Sequence, residues 1–126
     1  MRYNVLHFFE RKNIDIANIL YLTRQNPDTK ITFFDGKEIL TAIPVKEIAI
    51  YLPAEEFVNI TKGILLRKSQ IVNISDDGLY TMTDGSVFQG RKRNISQHKQ
   101  LRQALGLSKE QDEKAEKRIP LELLEK

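Results

Sequence analysis

Residues 57–66 read Phe57-Val58-Asn59-Ile60-Thr61-Lys62-Gly63-Ile64-Leu65-Leu66. Two short runs of strand-favouring side chains, Phe57 to Ile60 and Ile64 to Leu66, stand only three residues apart. So short a connection fits an antiparallel hairpin better than a parallel crossover. Further along, the same rhythm gives strands at Ile71 to Ile74, Leu79 to Met82 and Ser86 to Phe88, with Asp76-Asp77-Gly78 and Thr83-Asp84-Gly85 as turns. Towards the N-terminus, Ile19 to Thr23 and Lys30 to Phe34 read as strands around the turn residues Asn26-Pro27-Asp28. Asp35-Gly36 is a tight hairpin signal, and Lys37 to Ala42 returns as the partner strand. Ile14-Asp15-Ile16 alternates ahead of this set.

The period changes twice. Val45, Ile48, Ala49 and Leu52 fall at i, i+3, i+4 and i+7, one face of a short helix near 44–52. Pro44 suits its first turn and Pro53 ends it. A second helix is expected near 95–105, with Asn94 or Ser96 to cap its start and Gly106 to close its end. Val5-Leu6-His7-Phe8-Phe9 fits either a strand or a short helix packed on the body. The expected fold is mainly β, built from small antiparallel sheets.

The chain has 126 residues, with 20 Lys and Arg against 17 Asp and Glu, a net +3, and no cysteine. That length suits one domain, and the missing thiols exclude disulfides, a thiol nucleophile and a thiolate metal site. No apolar run is long enough to span a membrane. Met1-Arg2-Tyr3-Asn4 lacks the apolar stretch of a signal peptide, so a cytoplasmic location is expected.

Divided along the chain, the charge is uneven. Residues 1–56 and 106–126 each carry −1, whereas residues 57–105 carry eight basic and three acidic side chains, a net +5. The basic residues there are Lys62, Arg67, Lys68, Arg91, Lys92, Arg93, Lys99 and Arg102. A concentrated positive field favours a polyanion such as nucleic acid. An ordinary solvated face would carry the same charges.

Catalytic chemistry finds little support. His7 and His98 lie far apart and have no Cys, Asp or Glu at metal-site spacing, so a surface or half-buried structural role is expected for both. Asp76, Asp77 and Asp84 sit beside glycines in turns. Ser69, Ser75, Ser86 and Ser96 have no base partner nearby in sequence. The glycines form neither a phosphate-binding loop nor a dinucleotide fingerprint. No enzyme, cofactor or metal is expected.

The order of strand, hairpin, short helix and Phe57-to-Leu66 segment resembles the LytTR DNA-binding domain family, over roughly Ile14 to Leu105. The parts that carry the resemblance are Asn18-Ile19-Leu20-Tyr21-Leu22, the hairpin through Asp35-Gly36, Leu52-Pro53 ahead of Phe57, the Lys62 region, Ile71, and Thr83-Asp84-Gly85 leading to Arg91. The chain departs from the family pattern in three places. Thr61 and Gly63 flank Lys62 where His and Ser are usual, Leu66-Arg67 replaces a usual Val-Asn, and Gly90 stands where Ser is common.

The resemblance implies an elongated LytTR-type set of antiparallel sheets that reads successive major grooves of double-stranded DNA through loops, as bacterial transcription regulators of quorum sensing and bacteriocin production do. Base contacts are implied for Lys62 and Arg91, and an arginine can indeed pair bidentately with a guanine edge. Backbone or loop contacts are implied for Arg24, Gln25, Asn26, Lys30, Thr61, Gly63, Arg67, Lys68, Lys92, Arg93, Asn94 and Lys99. It also implies paired direct repeats bound by two copies, with self-association or pairing with another LytTR regulator.

Residues 1–13 are then expected as an N-terminal extension packed on the domain, residues 14–105 as the DNA-binding domain, and residues 106–126 as a charged tail. Nothing before Ile14 has the length of a receiver domain, about 100 residues, so a standalone domain is expected. Ser108-Lys109-Glu110-Gln111 has the form of a capping box, which favours a helical tail. The alternative to DNA reading is an interaction module of the same fold that modulates a full-length regulator.

Overall fold

A computed structural model describes residues 3–107; the expected helical tail beyond them lies outside the described residues. The chain divides into two compact units, residues 1–70 and 71–126.

The first unit opens with helix α1, Val5–Arg11. The Asn4 side chain caps it by accepting from the His7 N–H at 3.0 Å. A single 3-10 turn, Ile16–Asn18, follows, and Asp15 caps it through the Ala17 N–H. The alternation at Ile14-Asp15-Ile16 therefore belongs to this turn and its cap, not to a strand.

Five strands come next: β1 (Ile19–Gln25), β2 (Asp28–Phe33), β3 (Glu38–Thr41), β4 (Phe57–Thr61) and β5 (Ile64–Arg67). They form one antiparallel sheet in the order β3-β2-β1-β5-β4. β1 is central, which explains its run of five buried residues from Ile19 to Thr23. The β2–β3 turn uses Gly36 at φ +89°, a conformation open to glycine without steric cost.

Helix α2, Val45–Ala49, lies between β3 and β4, with Pro44 at its N-cap. Val5, Phe8 and Phe9 of α1 join Val45, Ile48 and Leu52 around α2 and Ile19, Leu22 and Ile31 of the sheet in one buried cluster. The apolar face expected on α2 is thus its core face.

The second unit is a three-stranded antiparallel meander, β6 (Ile71–Ile74), β7 (Leu79–Met82) and β8 (Val87–Gln89), followed by helix α3, Ile95–Ala104. Gly78 and Gly85 turn the meander at φ +88° and +90°. Gly106, at φ +73°, closes α3: its N–H bonds to the Gln103 carbonyl, and the Leu107 N–H bonds to that of Arg102. This pair of bonds is a Schellman cap. Among the described residues no helix is long and apolar enough to cross a membrane.

Candidate nucleic-acid interface

In the first unit two tight turns meet at one end of the sheet. The β1–β2 connection is Asn26-Pro27, and the β4–β5 connection is Lys62-Gly63. Pairing of β1 with β5 makes them neighbours: the Arg24 N–H donates to the Gly63 carbonyl at 2.8 Å. A Cβ on Gly63 would stand 2.8 Å from the Cβ of Arg24. Glycine is therefore what lets the Arg24 side chain cross this turn. The Arg24 Nε donates to Asn26 Oδ1 at 3.0 Å, which directs the guanidinium along the hairpin. Thr61 shapes the second turn by accepting from the Gly63 N–H at 3.2 Å.

Arg24 and Lys62 then line one hollow of about 260 Å³ together with Pro27, Thr29, Pro44, Val45 and Lys46. Among the described residues three cations and no carboxylate face it, and Arg24, Lys46 and Lys62 are all exposed. Such a hollow suits an anionic oxygen group. A larger hollow of about 580 Å³ beside the Asp35 turn has a mixed lining, with Lys12 and Lys37 against Asp15, Asp35 and Glu38. It has no comparable preference for an anion.

Lys46 escaped the sequence reading. It counted only as a polar position on α2, and its place beside Arg24 depends on pairings distant in sequence.

Other expected contacts are placed differently. Gln25 is exposed beside Arg24. Lys30 is half-buried, and its ammonium pairs with Glu38 at 3.3 Å. Lys68 starts a 3-10 turn, Lys68–Gln70, at the far end of β5 from Lys62, so it does not join the cluster.

Arg67 is a correction. It is 8% exposed, and its guanidinium donates to the Ile19 and Ile16 carbonyls at 2.7 Å each, pairs with Glu56 at 3.1 Å and lies 4.5 Å over the Phe57 ring. With its donors committed inside the unit, it is a structural residue rather than a backbone contact for DNA.

In the second unit the expected loop is the connection between β8 and α3. Arg91, Lys92 and Arg93 are consecutive and exposed, and Asn94 occupies the N-cap position of α3 without a side-chain cap bond. The Asn94 N–H instead reaches back to the Arg91 carbonyl at 3.1 Å, tightening the turn. Lys99 is exposed on α3. Arg102, counted among the basic excess, is buried: it donates to the Ile74 carbonyl at 2.9 Å and pairs with Asp76 at 2.8 Å. His98 is also buried, at 3% exposure, whereas His7 is exposed.

No family model and no curated protein matches the chain. Among solved structures it is similar to one described as the LytTr DNA-binding domain of a methyl-accepting/DNA response regulator from Bacillus cereus. The similarity has a TM-score of 0.60 at 17% identity and covers 68% of this chain and 82% of that one. The fold is a LytTR fold.

Two sheets, a few short helices and mainly β content agree with that fold. On this LytTR frame, two of the departures from the family pattern have local reasons. Gly63 accommodates Arg24, and Gly90 is packed against the His98 ring, where a Cβ would come within 2.8 Å of Cε1.

Proposed function

We propose that this chain is a sequence-specific, double-stranded-DNA-binding transcription regulator, with basic loops of each unit entering a major groove. The observation that carries this function is the convergence of Arg24, Lys46 and Lys62 on one hollow of a LytTR fold. Lys62 and Arg91 are assigned to base edges, since both are exposed at turns and carry donors suited to guanine. Arg24, Lys46, Lys92, Arg93 and Lys99 are assigned to phosphates, which position the protein without reading sequence. Two copies on paired direct repeats would double the contacts on one operator, by self-association or by pairing with another LytTR regulator.

Selection from a random duplex pool with the purified chain tests this function. The expected result is an enriched motif whose binding weakens steeply with added salt as counterions are released. No enrichment, or an interaction indifferent to salt, would replace DNA reading with the interaction-module function.

A further inference from the structure

Next to the basic turn Arg91–Arg93 lies a buried group with no part in the contacts assigned so far. His98, on α3, has partners at both ring nitrogens. Nε2 stands 2.7 Å from the Arg91 carbonyl oxygen, and Nδ1 stands 2.7 Å from the Tyr80 hydroxyl. A carbonyl oxygen only accepts, so Nε2 carries a hydrogen. With a single ring proton, Nδ1 accepts from Tyr80. The two rings meet edge to face, with centroids 5.4 Å apart and planes at 82°.

The slot that holds the imidazole exists because two side chains are missing. A Cβ on Gly78 would come within 2.8 Å of His98 Cδ2 and Nε2. One on Gly90 would come within 2.8 Å of Cε1 and 3.0 Å of Tyr80 Cε1. The Gly90 N–H donates to the Gly78 carbonyl at 2.7 Å, holding the two sides of the slot together. Gly78 is also needed by its turn at φ +88°, but Gly90 has no positive φ. The imidazole, with the Tyr80 ring beside it, is what requires glycine there.

We propose that His98 is a positioning residue for DNA reading. Its Nε2–H holds the Arg91 carbonyl and so fixes the backbone from which the Arg91 side chain departs, and Gly90 is the partner that admits the ring. The proposal rests on the DNA binding proposed above. A bidentate contact tolerates little angular error, so a base-reading arginine gains from a backbone held by a buried donor.

The test compares binding to the selected operator and to a scrambled duplex. His98→Leu removes the donor, whereas His98→Gln keeps an N–H within reach of the same carbonyl. His98→Leu is expected to lower the ratio of specific to non-specific affinity by roughly threefold to tenfold, the worth of one net hydrogen bond. His98→Gln should restore most of that ratio. In an Arg91→Ala background, His98→Leu should cost little further specificity, because the side chain it serves is gone. An unchanged ratio in His98→Leu, or the same loss with and without Arg91, would overturn the proposal.

Nitrogen NMR of the wild-type imidazole supplies a readout that survives if His98→Leu fails to fold. The expected proton is on Nε2, and a ring proton on Nδ1 alone would overturn the assignment. A wild-type chain that binds no duplex while keeping the Nε2 proton would defeat the proposed function, not the local geometry.

Discussion

Three polar side chains of the basic stretch, Arg67, His98 and Arg102, are buried. Each donates to main-chain carbonyls: Arg67 to those of Ile16 and Ile19, His98 to that of Arg91, and Arg102 to that of Ile74. Arg67→Leu should therefore destabilise the first unit by about 2–4 kcal/mol, because two carbonyls lose a charged donor and Glu56 loses its partner. Denaturant unfolding measures this, and Arg67→Lys should recover only part of it, since an ammonium cannot reproduce the planar fork. A loss below about 1 kcal/mol for Arg67→Leu would mean that water replaces these bonds. Arg91 behaves differently. Arg91→Ala should cost about 1–3 kcal/mol of specific binding and relax one base position, while Lys92→Ala weakens all duplexes alike. Equal losses on specific and random duplexes for Arg91→Ala would remove its base-reading role.

At the scale of elements, the strands and helices α2 and α3 were legible because periodicity, caps and turn residues are local signals. Glycines 36, 78 and 85 fall where the turns require positive φ. The Val5-to-Phe9 stretch could not be assigned from its period, since five apolar and aromatic residues suit either structure; it is helical. Helix α3 hides its packing for another reason. Its buried face carries His98 and Arg102, so a search for apolar side chains at helical spacing misses that face. The meander beneath it contains Tyr80, 2% exposed, whose hydroxyl burial pushes up to about 12 from 10.0. Folding thus favours the protonated phenol. That contribution is complete below about pH 10 and disappears as pH rises through about 12. Alkaline unfolding followed by phenolate absorbance should show Tyr80 ionising with the loss of structure of the second unit. Ionisation of all four tyrosines near their ordinary value, with structure intact, would contradict this.

For the whole molecule, the net +3 understates the local positive charge at the surface, while the +5 stretch overstates it. Arg67 and Arg102 lie inside, leaving Lys62, Lys68, Arg91, Lys92, Arg93 and Lys99 from that stretch at the surface or half-buried. Lys46, from a segment of net −1, joins Arg24 and Lys62 instead. Charge counting along the chain could not find that cluster, because the pairing of β1 with β5 and the packing of α2 on the sheet assemble it from three separate segments. Lys46→Gln should weaken every duplex by a similar factor and reduce the salt slope by about one unit. Titrations at several salt concentrations would show this, and an unchanged slope would leave that hollow without a phosphate.

The buried arginines have a consequence for anyone selecting loss-of-function variants in living cells. On the proposed function, substitutions at Arg67, Arg102 and Arg91 would all silence the protein, and their shared charge in the basic stretch would group them together. Temperature and second-site suppressors would separate them. Stabilising changes elsewhere, or growth in the cold, should restore the Arg67 and Arg102 variants by raising the folded fraction. On the proposed function they should do nothing for an Arg91 variant, which would be folded yet unable to recognise its operator.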